Sequence, residues 1–180
     1  AYKVKQAFSA ERWGMVGEAC CFPDPFYSPG SDFIAIGNDM MSDLIQRDFQ
    51  GEDIAERASL YNDYYLFRLE NALLIVRGLY STLGSYDLFR VKCFFDCACY
   101  FNLWVDSYIR DEHLSLRRVR SELRRKGATL KLMRNFGRLF SGAAEELHKQ
   151  GRYFEKNQGE FMLDGRLVYG AMEDMGETRK

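Results

Sequence analysis

Proline placement is the feature that most constrains this chain. All three prolines lie within seven residues, at Pro23, Pro25 and Pro29, and none follows in the remaining 151 positions. Proline interrupts a helix because it lacks a backbone N–H and clashes with the preceding turn. Apolar residues recur every three to four positions through the proline-free region, which is the period of an amphipathic helix. The sequence therefore predicts a mainly α-helical protein.

The apolar spacing also predicts where the helices begin and end. The first covers residues 32 to 48, with Ser31 as its N-cap and Asp32 favourable to the helix dipole. A second runs from Ile54 to Gly78. A third, from about Tyr86 to Arg110, is apolar on most faces and is expected to be central. Its aromatic residues are expected to fill the core or, as the alternative, to line a substrate pocket: Phe94, Phe95, Tyr100, Phe101 and Trp104.

The remainder of the chain is amphipathic and basic. Gly127 is expected to divide this stretch into two helices, and Asp164-Gly165 predicts a small C-terminal hairpin over residues 161–169. A solvated helix face is the first interpretation of the basic residues, and docking of an acidic partner is the second. Nucleic-acid binding is disfavoured because the formal net charge is -1. The basic residues are Arg117, Arg118, Arg120, Arg124, Arg125, Lys126, Lys131, Arg134 and Arg138.

Cysteines and hydropathy bear on the compartment. Five cysteines are an odd number, and the vicinal pair Cys20-Cys21 is poorly suited to a disulfide, so we expect reduced, buried thiols in a cytoplasmic protein. No apolar stretch reaches the roughly 18 residues of a membrane span. Cys93 and Cys97 lie one helical turn apart, but no histidine pair completes a metal site, so no metal is predicted.

The first forty residues differ from the rest of the chain. Trp13 to Val16 is a short apolar segment that predicts a buried strand, and it delivers Glu18 at its carboxyl end. An irregular proline-rich loop, residues 22–30, then leads into the N-terminus of the first helix. Strand, acidic residue, rigid loop and helix N-terminus together predict a cradle for an anion or a polar ring.

One run of residues carries a family resemblance. It reads Arg12-Trp13-x-x-Val16-Gly17-Glu18-Ala19-x-x-Phe22-x-Asp24-Pro25-x-x-Ser28-x-Gly30. This run of about twenty residues resembles the second flavin-binding motif of the flavin-dependent halogenases, a branch of the FAD-dependent monooxygenase superfamily. The rest of the chain would be that family's divergent helical region on the substrate side. No motif in that region matches.

The resemblance implies roles for six residues in binding FAD. Gly17 and Glu18 would place a carboxylate against the ribityl hydroxyls. Asp24 and Pro25 would shape the turn, and backbone amides near Gly30 and Ser31 would stabilise negative charge on the flavin ring. A helix N-terminus is suited to that last role because its amides carry partial positive charge. These residues are Gly17, Glu18, Asp24, Pro25, Gly30 and Ser31.

Two features separate this chain from a complete halogenase. Pro29 occupies the position whose backbone N–H helps to bind halide in the family, and proline has no N–H. The chain also contains no Gly-x-Gly-x-x-Gly fingerprint opening a βαβ unit. We therefore expect a C-terminal piece of a longer enzyme, in which residues 1–31 complete the flavin-binding α/β domain and residues 32–180 form the substrate side. Its catalytic residues would lie upstream.

Two functions follow from the sequence. The first is part of an FAD-dependent, halogenase-like oxidoreductase that acts on an aromatic or carrier-tethered small molecule, with a flavin reductase as a further partner. The second is a non-catalytic helical interaction module that docks an acidic partner through its basic helix. His113 and His148 are isolated from each other in the sequence and are not expected to be catalytic.

Overall fold

The computed structural model describes residues 1–155, and most of them are helical, as the sequence predicts. The helices are α1 (Gly30–Phe49), α2 (Ala55–Arg77), α3 (Tyr86–Tyr100), α4 (Asp106–Ile109) and α5 (Leu116–Lys149). A π-helical segment, Phe101–Val105, joins α3 to α4. Short 3₁₀ turns lie at Gly17–Ala19, Tyr80–Thr82 and Glu112–Leu114. The hairpin predicted for residues 161–169 lies outside the described residues.

The start of α1 differs in detail from the prediction. Pro29 is the N-cap residue, and no side chain caps the helix, so the assignment of Ser31 as N-cap is wrong. The proline ring holds φ at -67°, close to the helical value, and thereby directs the chain into the first turn. Ser31 consequently lies inside that turn and is exposed to solvent.

The short sheet is formed by different residues from those predicted. Strand β1 (Tyr2–Lys3) pairs antiparallel with β2 (Cys21–Phe22). The strand predicted for Trp13–Val16 is wrong, because this segment contributes a single bridge, between Gly14 and Phe8. The chain reverses tightly just before it, where the Ser9 amide donates to the Trp13 carbonyl at 3.1 Å. This turn leaves too few residues for a ladder.

Helix α2 is the centre of the fold. Its buried side chains include three tyrosines, Tyr61, Tyr64 and Tyr65, together with the nearly inaccessible Arg68. Phe8 from the N-terminal segment packs edge-on against Tyr61 and Tyr65, with ring centroids 6.5 and 5.6 Å apart. The N-terminal segment is therefore anchored to the core by aromatic contacts of the kind that contribute most to core packing.

The prediction that α3 is central is wrong. The buried residues of α3 are Lys92 and Asp96, whereas Val91 and Phe94 are 53% and 44% exposed. A buried ion pair occupies the inward face of the helix, so its apolar side chains are displaced to the flanks and the surface. Trp104, in the π-helical segment, is the aromatic residue of this region that is fully packed, at 5% exposure.

Helix α5 is continuous through Gly127, so the predicted division into two helices is wrong. A Cβ added at Gly127 would meet no atom within 4 Å, which places this residue on the open face of the helix. A glycine there costs only about 1 kcal/mol relative to alanine. Packing of α5 along α2 outweighs that cost.

The two long helices approach each other closely at a pair of glycines. A Cβ added to Gly78 would lie 3.1 Å from Cα and 3.3 Å from the carbonyl oxygen of Gly137. Ion pairs supplement this contact along the helices, Arg134 with Glu70 at 2.9 Å and Arg120 with Glu56. The glycine pair sets the distance between α5 and the end of α2.

The cysteines differ in their exposure to solvent. Cys20 and Cys21 are buried, Cys93 and Cys99 are half-buried, and Cys97 is exposed, so the prediction of buried thiols is wrong for Cys97. Within residues 1–155, no helix combines the length and the apolar character that a membrane span requires. No cluster of three His, Cys, Asp or Glu side chains suited to a metal ion occurs in the same range.

Candidate functional site

Gly17 and Glu18 form the first part of the surface on which the resemblance places FAD. Gly17 has a φ of +59°, and a Cβ there would lie 3.0 Å from Cγ1 of Ile34, so both conformation and space favour glycine. Glu18 follows in a 3₁₀ turn and is exposed. A Cβ on Gly30 would lie 3.9 Å from its Oε1 atom, so the Glu18 carboxylate stands beside the start of α1.

Asp24 and Pro25 shape the loop that precedes α1. Oδ1 of Asp24 accepts a hydrogen bond from the Phe26 amide at 2.8 Å, which is an Asx turn. Both of its carboxylate oxygens lie 3.0 Å from the Tyr80 hydroxyl, which donates to them. The Pro25 carbonyl accepts the Ser28 amide at 3.1 Å. The loop is thus held by its own polar groups and by a tyrosine from the turn after α2.

The start of α1 offers backbone donors. The first amides of an α-helix have no partner within the helix, and no side chain caps α1. Gly30 and Ser31 lie in this first turn, Ser31 on the surface. Together with Glu18 they present amide donors and one carboxylate on a common surface, which is a donor and acceptor set suited to a polar ring and a hydroxylated chain.

A cleft of about 280 Å³ adjoins this surface. It lies between the proline-rich loop, α1, α2, α3 and the π-helical segment, and most of its walls are apolar or aromatic. Pro29 belongs both to the cleft and to the N-cap of α1. The lining residues are Tyr27, Pro29, Asp32, Ala72, Ile75, Val76, Asp96, Cys97, Tyr100 and Trp104.

A buried ion pair forms one wall of the cleft. Lys92 donates to Asp96 and to the Ile75 carbonyl, the latter at 2.8 Å, and both charged side chains are almost inaccessible. Tyr27 of the loop donates its hydroxyl to Oδ2 of Asp96 at 3.0 Å. This carboxylate therefore links α3 to the loop, and Lys92 links α3 to α2.

Asp32 forms the other polar wall. Its Oδ1 accepts the Tyr100 hydroxyl at 3.0 Å. The same residue also borders a neighbouring cavity of about 220 Å³, which shares Tyr100 and Trp104 with the cleft. Among the described residues no cation is paired with Asp32, in contrast to Asp96.

Burial shifts the acid–base properties of these groups. Loss of solvation raises the pKa of Asp32 above its usual value, and the Tyr100 hydrogen bond offsets part of that rise. Desolvation likewise raises the pKa of Asp96, against the opposing effect of Lys92. The pKa of Tyr100 is raised to about 12, first by burial and then by the nearby Asp32 charge. Perturbed carboxylates in a cleft are a common property of functional sites.

Sequence reasoning did not identify the cleft carboxylates as site residues. From the sequence, Asp32 is expected to favour the helix dipole, and no role is predicted for Lys92 or Asp96. The spacing of four residues between Lys92 and Asp96, within a stretch that is otherwise apolar from Val91 to Tyr100, was the available signal, because two opposite charges at that spacing share one face. Of the aromatic residues, Tyr100 and Trp104 line the cleft, which is the alternative that had been left open for them.

Sequence comparison finds one distant similarity of functional interest. The chain is 22% identical over 116 residues to the flavin-dependent halogenase chlA of Dictyostelium discoideum, covering 63% of this chain and 19% of that protein. This chain thus spans about a fifth of the length of that relative. No protein-family model matches the chain, and no solved structure matches it. The similarity supports a distant halogenase-like relationship and suggests a flavin-dependent oxidoreductase role.

Proposed function

We propose that this chain is the substrate-side part of an FAD-dependent, halogenase-like monooxygenase acting on an aromatic or carrier-tethered small molecule. The observation that carries the proposal is the position of Pro29. This residue caps α1 at the end of the motif that resembles a flavin site, and it also lines the apolar cleft. A flavin at the start of α1 would therefore border the cavity that receives the substrate.

The residues at the start of α1 fit the edge of a flavin. The uncapped first turn supplies N–H donors for a ring edge that becomes negative, and the Glu18 carboxylate is placed to accept from ribityl hydroxyls. When bound, FAD would supply oxygen activation by its reduced ring. Gly30 leaves the approach to the helix open, because only Oε1 of Glu18 would lie within 4 Å of a Cβ there.

Other residues of the chain bind and orient the substrate in this proposal. The apolar walls from α2 exclude water from an aromatic body, Tyr100 offers a ring surface, and the packed Trp104 closes the wall behind it. Tyr27 and Asp96 fix the loop against α3 and so preserve the width of the cleft. Pro29 contributes no N–H, so the halide site of this loop would be incomplete. We therefore propose that the chemistry is flavin-dependent oxidation of the substrate.

The test is to purify the product of the complete reading frame that contains this chain and to record its visible spectrum after removal of excess FAD. We expect a retained flavin band that disappears in Gly30→Ile. The fold tolerates a side chain at this position, since a Cβ there meets only Glu18 Oε1, at 3.9 Å. Gly127→Ala is the control, because it lies on the open face of α5. A wild-type product without flavin contradicts the proposal.

The charge of α5 favours a second candidate function, docking of an acidic protein partner. Arg117, Arg124, Lys131 and Arg138 recur at every seventh position and are all exposed. Within residues 1–155, none of these four side chains forms an ion pair. A noncatalytic module would use this face and would retain no flavin. Absence of flavin from the complete protein, together with loss of binding to an acidic matrix when these four charges are reversed, favours this second function over the first.

A further inference from the structure

The two carboxylates of the cleft differ in how their charge is balanced. Asp96 receives hydrogen bonds from Lys92 and from Tyr27, so its negative charge is compensated inside the protein. Asp32 receives only the neutral Tyr100 hydroxyl among the described residues, at 3.0 Å. The N-terminus of α1 contributes partial positive charge beside Asp32, but no cationic side chain among the described residues does so. Asp32 is therefore the polar group of the cleft that is best placed to pair with a ligand cation.

Among the residues that the structure describes, no cationic side chain lines the cleft. Pro29 lies beside Asp32 at the entrance of α1, and Ala72, Ile75 and Val76 provide an apolar surface from α2. Lys92 is 1% exposed and is engaged by Asp96 and by the Ile75 carbonyl. A ligand carboxylate would thus face the Asp32 carboxylate, with no basic side chain among the lining residues to offset their repulsion.

Aromatic rings complete the environment of Asp32. Tyr100 and Trp104 line the cleft and also the adjoining cavity that Asp32 borders. Aromatic faces attract organic cations through the electrostatics of the ring. Arg68 already lies over the Trp104 ring, 5.1 Å from its centroid, so Tyr100 offers the more open ring. A carboxylate beside that ring favours an ammonium group over a neutral one and disfavours an anion.

We propose that the cleft selects aromatic amines, with Asp32 as the specificity-determining residue that binds the protonated amino group while the aromatic body lies on the apolar wall of α2. This proposal rests on the proposed function in taking the cleft as the substrate side. It goes further by naming the charge of the substrate. The cleft volume of about 280 Å³ suits a body of one or two rings.

The test compares three ligands of similar size and different charge, using fluorine NMR of the ligand with the full 180-residue chain and no flavin. The ligands are para-fluorophenethylamine, 2-(para-fluorophenyl)ethanol and 3-(para-fluorophenyl)propanoate. We expect the amine to bind about tenfold more tightly than the propanoate, since a charge-assisted hydrogen bond replaces a like-charge contact. The alcohol should fall between them.

Substitution at Asp32 tests the assigned residue. Asp32→Asn retains an oxygen for the Tyr100 hydroxyl and removes the charge, so the preference for the amine should disappear. Asp32→Ser serves as a second variant if the first does not fold by circular dichroism. Asp63→Asn, an exposed carboxylate on α2 outside the cleft, is the matched control and should bind all three ligands as the wild type does.

Ligand position is read from tryptophan fluorescence in a Trp13→Phe background, where Trp104 is the remaining tryptophan of the chain. Quenching of Trp104 by the amine supports binding in the cleft. Equal affinity for amine and propanoate, an unchanged preference in Asp32→Asn, or no binding of any of the three overturns the proposal. Because no flavin is used, these results are independent of whether the complete protein retains FAD.

Discussion

At the scale of single residues, the most consequential feature is the burial of two opposite charges on one helix. Lys92 and Asp96 are 1% and 3% exposed, and each has a further partner, the Ile75 carbonyl and the Tyr27 hydroxyl. A buried pair gains little net stability relative to apolar residues, but loss of one partner leaves an uncompensated charge. The pair therefore positions α3 and the loop more than it stabilises the fold.

Removal of the lysine charge should be costly. We expect Lys92→Met to lower the free energy of unfolding by about 3–5 kcal/mol at neutral pH, because the Asp96 charge then stays buried without its cation. Urea unfolding followed by circular dichroism measures the loss. The double variant Lys92→Met/Asp96→Leu should recover most of it, and Arg134→Met, which breaks a surface pair, should cost less than about 1 kcal/mol. Equal losses in all three would contradict this account.

The same variant should show a defined pH dependence. Desolvation raises the pKa of Asp96 in the folded protein, so the folded state binds a proton more readily than the unfolded state. The stability that this carboxyl contributes is present below its usual pKa of 3.8 and is lost as the pH rises through the raised folded value. Lys92→Met raises that pKa further, so its deficit should shrink at acidic pH.

The Tyr100 hydroxyl should control the ionisation of Asp32. This hydrogen bond opposes the rise that burial causes in the pKa of Asp32. Tyr100→Phe removes the donor to the carboxylate, and we therefore expect the pKa of Asp32 to increase. A carbon-detected NMR titration of the Asp side chains in wild type and variant measures the change. An unchanged or lower pKa would show that the hydroxyl does not donate to Asp32 in solution.

At the scale of secondary-structure elements, the crossing of α5 over the end of α2 depends on glycine. A Cβ on Gly78 would contact Cα and the carbonyl oxygen of Gly137 at 3.1 and 3.3 Å, which are backbone atoms with little room to move. We expect Gly78→Ala to lower the melting temperature, at a cost of about 1–3 kcal/mol. Differential scanning calorimetry gives both quantities.

Two glycines of α5, Gly127 and Gly137, serve as controls for this crossing. Gly127→Ala adds a Cβ in open space and should stabilise the helix by about 0.5–1 kcal/mol. Gly137→Ala, whose Cβ meets the Leu74 carbonyl oxygen at 3.9 Å, should be tolerated. If Gly78→Ala were as stable as Gly127→Ala, the two helices could move apart at little cost, and the close contact between Gly78 and Gly137 would not limit the crossing.

The elements also show which parts of the fold could be predicted from sequence. The bounds of α1 and α2 followed from proline placement and apolar period, which are local properties. Which helix lies at the centre of the fold could not be predicted in this way, because α3 carries its ion pair inward while α2 buries Arg68 and its tyrosines. Periodicity gives the direction of an apolar face but not which neighbour covers it. The predicted break at Gly127 was wrong for another reason: tertiary packing overrides a single residue of low helix propensity.

The candidate site was predictable only in its local part. Spacing within one run placed Gly17, Glu18 and Gly30 near the start of α1. The cleft depends on contacts between residues far apart in the sequence, such as Asp32 and Tyr100, and no short sequence motif predicts such a contact. The similarity to a distant halogenase indicates a class of function but does not identify individual site residues.

At the scale of the whole molecule, charge is strongly segregated. Helix α5 carries ten Lys and Arg side chains against three Glu, a net charge of +7 in a chain whose formal charge is -1, so the other 146 residues carry -8. The helix is about 51 Å long at 1.5 Å per residue. A field of one sign over that length can bind a charged surface even when the protein as a whole is slightly acidic.

We therefore expect the protein to be retained on a cation exchanger at pH 7, although its isoelectric point is about 6.2. Retention should depend on the exposed row of Arg117, Arg124, Lys131 and Arg138, because these side chains lack ion-pair partners among the described residues. Reversing all four to Glu should abolish retention, and the salt concentration of elution measures the effect.

A control with the same net charge separates the face from the total. Reversing four exposed cations elsewhere, Lys3, Lys5, Arg77 and Arg90, changes the formal charge by the same amount and leaves the α5 row intact. Continued retention of this control shows that the arrangement of charge on α5 governs binding. Loss of retention in both variants would show that net charge, and not the α5 row, governs retention. The argument for an acidic docking partner would then fail. The flavin proposal, which rests on Pro29 and the cleft, would be unaffected by that result.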